Sequence, residues 1–180
     1  MTDFDFADLT KNYELVVFDT TIPILCYKNE RLEREVSQSD NALTVPAVFE
    51  EVKSSRNASF LTAGRTITLD RVLGTSRDVV MTYLSTFSSP YRVIDLNKKL
   101  PLTDIKIAAL ALGLAHQRKY VAFTSGDRML NACLFNLVEG IKDGSITDFP
   151  LSINELDVYS LVQSRGKFVL YWQEGQVKSV

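Results

Sequence analysis

The chain has 180 residues, enough for one domain with a substantial core. Its 22 acidic residues against 20 basic ones leave a net charge of -2, which excludes a generally polyanion-binding surface and confines any nucleic-acid contact to a local cluster. With 46% hydrophobic residues, no low-complexity tract and no internal repeat, the composition excludes a disordered chain and reads as globular.

The opening "MTDFDFADLT" is acidic and lacks a basic start followed by an apolar run, so it does not read as a targeting segment. "ELVVF" at 14–18 is a β-branched and aromatic run ending on Asp19 and Thr20, which predicts a buried strand turning into a helix, with Pro23 in that helix's first turn. Residues 28–40 are mostly polar and read as a solvated helix end or loop. Pro46 opens a short helix to about Lys53, and "SSRNAS" after it reads as loop. A helix is expected over Ser76–Phe87 and a second strong strand over "YRVIDL" at 91–96.

"TDIKIAALALGLAHQ" then predicts a helix over Thr103–Gln117 that is apolar on nearly every side, and "YVAFTS" at 120–125 a third strand. The helix after Asp127 runs to about Gly140, and Ile146–Phe149 reads as a further short strand. Finally "VYSLVQ" and "KFVLYW" flank "SRG" and predict a two-stranded hairpin. Strands alternating with helices predict an α/β fold with a parallel sheet, three layers α/β/α, over residues 1–150, with residues 151–180 as a C-terminal hairpin extension of the same domain. Cys26 and Cys133 lie far apart without a neighbouring histidine and read as small core residues. The longest apolar stretch, around 107–115, is too short to cross a bilayer, so no membrane partner and a cytoplasmic location are expected.

In open parallel sheets ligands collect at the carboxyl ends of the strands. Two acids, Asp19 and Asp127, fall at such ends, and Asp104 opens the apolar helix. Adjacent Glu50 and Glu51 follow Pro46. Singly, each of the three aspartates reads as a helix cap. Together, carboxylates gathered at one sheet edge repel unless a proton is shared or a cation neutralises them, and hard oxygen donors without His or Cys favour Mg2+ or Mn2+.

Four motifs in this order resemble the PIN-domain ribonucleases: "VVFDTT" with Asp19 and the hydroxyl of Thr21, "VPAVFEEV" with Glu51 (Glu50 being the runner-up), "TDIKIAALAL" with Asp104, and "FTSGDR" with Asp127. The resemblance spans about residues 14–140 and is most specific where "TDIKIAALAL" pairs with "FTSGD". It implies a metal-dependent endoribonuclease acting on single-stranded RNA, with Asp19, Glu51, Asp104 and Asp127 as ligands of Mg2+ or Mn2+ and Thr21 orienting a water. It also implies, as frequent in the family, an antitoxin or other protein partner and a homodimer. Many members carry another acid a few residues past the fourth position, where this chain has Arg128, Met129 and Leu130. That departure keeps a second reading open, a non-catalytic PIN-like module that binds RNA or protein. His116, at the far end of the Asp104 helix, reads as a helix C-terminal residue, and Arg128 as the cation best placed for phosphate.

Overall fold

In a computed structural model of the chain, describing residues 2–53, 65–87, 100–117 and 119–171, helices cover both faces of one five-stranded sheet. The strands are β1 (Leu15–Phe18), β2 (Ala42–Leu43), β3 (Val121–Ser125), β4 (Leu156–Val162) and β5 (Lys167–Leu170). They lie side by side in the order β2-β1-β3-β4-β5, parallel through β4 and antiparallel only between β4 and β5.

Strand alternation decides which residues meet which layer. Val17, Val121, Phe123, Leu156 and Val158 point to one face and pack with α5 (Leu69–Leu73), α6 (Arg77–Thr86), α7 (Leu102–His116) and α8 (Arg128–Asp143). Val16, Phe18, Ala122, Tyr159, Leu161 and Phe168 point to the other and pack with α1 (Phe6–Asn12), α2 (Thr21–Cys26) and α3 (Glu30–Gln38). The remaining helix, α4 (Pro46–Val52), spans both cores, with Val48 in the first and Val52 in the second. The expected three layers are therefore present.

Every residue of α7 from Ile107 to Ala115 is buried. One side of it lies on the sheet and the other beneath α5 and α6, which explains a helix that is apolar all round. Cys26 and Cys133 are both buried free thiols. No helix among the described residues is long and apolar enough to cross a membrane.

The structure departs from the sequence reading in several places. Residues 30–38 form a full helix, α3, although mostly polar, because Leu32 and Val36 make a narrow buried stripe one turn apart and the Asn29 side chain accepts the Leu32 amide at 3.1 Å. Helices α1 and α5 and the short strand β2 had no sequence expectation. Ile146–Phe149 is not a strand: the Ile146 amide bonds the Gly140 carbonyl at 2.8 Å, and the Phe149 ring meets Tyr83 edge-on with centroids 5.1 Å apart. These contacts tie the segment to α8 and α6 instead of the sheet. The expected hairpin is present, but β4 also pairs with β3 over five residues, so it completes the central sheet. The strand expected at 91–96 and the loop over "SSRNAS" lie outside the described residues.

Leu110 is fully buried in α7, within the core between the sheet and its helical cover. Leu110→Ala is expected to lower unfolding free energy by about 2–5 kcal/mol in urea titrations.

Candidate active site

The strand order reverses between β1 and β3. From β1 the chain turns into α2 on one face, and from β3 it turns into α8 on the other, which is where open parallel sheets place their ligands. Asp19 and Asp127 are the acids at those two ends. Asp104 enters from the first turn of α7, and Glu51 from the last turn of α4.

Asp19 is only 3% exposed and is held by short bonds from both sides. One carboxylate oxygen accepts the Thr21 amide at 3.0 Å and the Thr21 hydroxyl, and the other accepts the Ser125 hydroxyl at 2.5 Å. The same two hydroxyls lock the loop after β3: Ser125 Oγ accepts the Asp127 amide at 2.8 Å, and Thr21 Oγ1 accepts the Gly126 amide at 2.7 Å. Thr21 thus commits its proton and a lone pair within the protein, fixing Asp19 to the opposite loop.

Asp127 is the N-cap of α8, its Oδ1 accepting the amides of Met129 at 2.7 Å and Leu130 at 3.1 Å. The cap and the site are not exclusive, since a carboxylate has a second oxygen. Glu51 is held by two threonines, accepting from Thr20 Oγ1 at 2.7 Å and from the Thr103 hydroxyl. Glu50 forms an ion pair with Lys53 instead. The neighbours thus separate, and Glu51 is the one tied to the turns that carry Asp19 and Asp104.

Asp104 differs from the other three. Among the described residues no group donates a hydrogen bond to its carboxylate, yet it feels the charges of Asp127, Asp19 and Glu51. Burial, and then those three charges, push its pKa up to about 7 from an ordinary 3.8. Burial also pushes Asp19 up to about 6, with the bonds from Ser125 and Thr21 opposing the rise and Asp127 adding to it. All four acids named from the sequence are therefore brought into one electrostatic neighbourhood. No three His, Cys, Asp or Glu side chains among the described residues stand as a ready-made metal cage. Asp19, Glu51 and Asp127 each accept hydrogen bonds from the protein.

Two buried groups at this site went unnoticed in the sequence. Ser125 is one, linking Asp19 to Asp127 from the last position of β3. Asn131 is the other, fully buried on α8, its amide donating to the Ser125 carbonyl at 3.0 Å and to Ser160 Oγ at 3.1 Å. Its Oδ1 has no partner among the described residues. The available signals were the hydroxyl two positions before Asp127 and a lone amide on a helix stripe with Leu134 and Val138.

His116 ends α7, far along the helix from Asp104, with Nδ1 2.9 Å from the Ser152 carbonyl oxygen. Arg128 is exposed at the first position of α8. No family model, curated protein or solved structure matches the chain.

The folded protein holds protons on Asp19 and Asp104 to higher pH than the unfolded chain does. Their contribution to stability is complete below about pH 4 and is lost as pH rises through about 6 and 7. Asp104→Asn removes one such charge without removing a hydrogen bond from a described residue. Allowing for solvent screening, the gain at pH 8 in EDTA is on the order of 1 kcal/mol, or about 2–4 °C in Tm. Thermal melts should show this gap narrowing below pH 7 and vanishing near pH 4.

Proposed function

We propose that the chain is a divalent-metal-dependent endoribonuclease of the PIN-domain type, hydrolysing phosphodiester bonds in single-stranded RNA. The observation that carries this reading is Asp104, a half-buried carboxylate with no donor among the described residues, facing three more acids at the reversal of strand order. Four carboxylates in one electrostatic neighbourhood are a costly arrangement unless a proton is shared or a cation joins them. The donors are all hard oxygens, which suits Mg2+ or Mn2+ over zinc.

Asp19, Asp104 and Asp127 would hold the ion, with Glu51 completing the set or serving a second ion. When bound, such an ion activates water and offsets charge on the phosphodiester. The chain's own residues set the geometry. Ser125 and Thr21 hold Asp19 against rotation and pin the loop that carries Asp127. Thr20 and Thr103 tie Glu51 to the turns before α2 and at the start of α7. Four hydroxyls from three separate segments therefore brace the acids.

One observation favours the alternative of a non-catalytic PIN-like module binding RNA or protein. Asp127 is engaged as a helix cap, and Arg128, Met129 and Leu130 stand where a further acid is frequent. Mn2+ separates the two readings. For the nuclease, Mn2+ is expected to raise Tm in the parent chain and to leave Asp19→Asn unchanged, by mass action on the folded state. In gel assays with unstructured RNA, cleavage should require Mn2+ or Mg2+ and fall by at least about a hundredfold in Asp104→Asn, as expected for loss of charge stabilisation in the transition state. Equal cleavage by parent and variant would sink the assignment, and no Mn2+ stabilisation would favour the binding module.

A further inference from the structure

We propose that Gln163, in the turn between β4 and β5, determines specificity by hydrogen-bonding an unpaired nucleobase of RNA seated on the acidic site. This rests on the ribonuclease reading above. Because β4 runs parallel to β3, with Ser160 opposite Ser125, its carboxyl end reaches the same sheet edge as Asp127. Gln163 is the first residue past that end and is exposed. The turn holding it is tight: the amides of Arg165 and Gly166 both bond the Val162 carbonyl at 3.0 Å, and Gly166 takes a φ of 61°, which favours glycine.

The approach to the site is direct. A Cβ placed on Gly126 would lie 3.3 Å from Gln163 Nε2 and 3.1 Å from Thr21 Oγ1. Gly126 is the residue before Asp127, and its amide is bonded to Thr21. The Gln163 amide therefore lies beside the loop that carries Asp127, and a side chain at 126 would crowd it.

Gln163 has no hydrogen-bond partner among the described residues. The cations here are engaged, Arg165 of the turn with Asp3 at 3.0 Å and Lys167, which opens β5, with Asp5 at 2.6 Å. What this edge offers a ligand is thus a neutral carboxamide, with an acceptor and two donors in one plane. A phosphate calls for a cation, whereas a carboxamide matches a base edge with adjacent donor and acceptor. Single-stranded RNA exposes such edges, and a paired helix does not.

The test is fluorescence anisotropy with the full chain carrying Asp104→Asn, so that RNA stays intact, in Mn2+ buffer. The probes are end-labelled twelve-nucleotide oligo(A), oligo(C) and oligo(U). Adding Gln163→Ala is expected to weaken the preferred homopolymer by about 3- to 10-fold, the scale of one or two hydrogen bonds, and the others less. Gln163→Glu, which keeps the shape but loses the donors, should reorder the preference. Unchanged affinities, an equal loss on all three probes, or no binding by the Asp104→Asn parent would overturn the proposal. A base-dependent loss in a chain that cuts no RNA would remove the nuclease reading alone. Cleavage with an unchanged base preference in Gln163→Ala would remove the Gln163 assignment alone.

Discussion

Asp104 and Asp19 are acids whose negative charge the fold itself disfavours, and the rest of the site is arranged around that constraint. Like charges in a partly buried site separate whenever the backbone lets them. Here the backbone does not. Asp104 stands in the first turn of a helix whose residues from Ile107 to Ala115 are buried between the sheet and a cover of two further helices, so its backbone cannot move away without unpacking the core. Asp19 follows immediately on a strand paired on both sides.

Hydroxyl groups do the local bracing. Thr20 with Thr21, Thr103, and Ser125 come from three segments far apart in sequence, and each hydroxyl bonds one of the acids or the loop beside it. A hydroxyl donates to a carboxylate without bringing a positive charge, so it orients the acid and leaves the site's negative field intact. A lysine or arginine in the same place would orient the acid but cancel that field. The amide of Asn131 supports this layer from below by holding the Ser125 carbonyl and Ser160. The site therefore extends from the acids through the end of β3 to β4.

That continuity changes the meaning of the C-terminal hairpin. By pairing parallel to β3, β4 brings its own carboxyl end, with Gln163, to the acidic edge. The outer strand β5 is tied in turn to the N-terminal segment, where Phe4 and Phe168 exchange two 2.8 Å backbone bonds and Asp3 and Asp5 pair with Arg165 and Lys167. Solvent-accessible ion pairs of this kind add little stability singly, and the backbone bonds with the Phe4–Tyr159 ring contact, 5.5 Å between centroids, make the firmer link.

Much of the framework was legible from local pattern. Val16 to Phe18 and Val121 to Ser125 are short runs that only a buried strand satisfies, and the acid after each marks the strand's end. The span of α7 and the acid at its mouth were legible for the same reason, since an apolar run of that length bounded by a polar turn has few other solutions. The sequence by itself therefore determined where the acids stand along the chain and which elements carry them. The motif resemblance already preferred Glu51 to Glu50, but only the tertiary structure decided what ties it to the site, the hydroxyls at positions 20 and 103. It alone decided that α7 is roofed by α5 and α6, that the hairpin belongs to the sheet, and that Ser125, Asn131 and Gln163 border the acids. Periodicity reports which face of an element is buried but not what lies across from it, and a polar side chain takes its role from that partner.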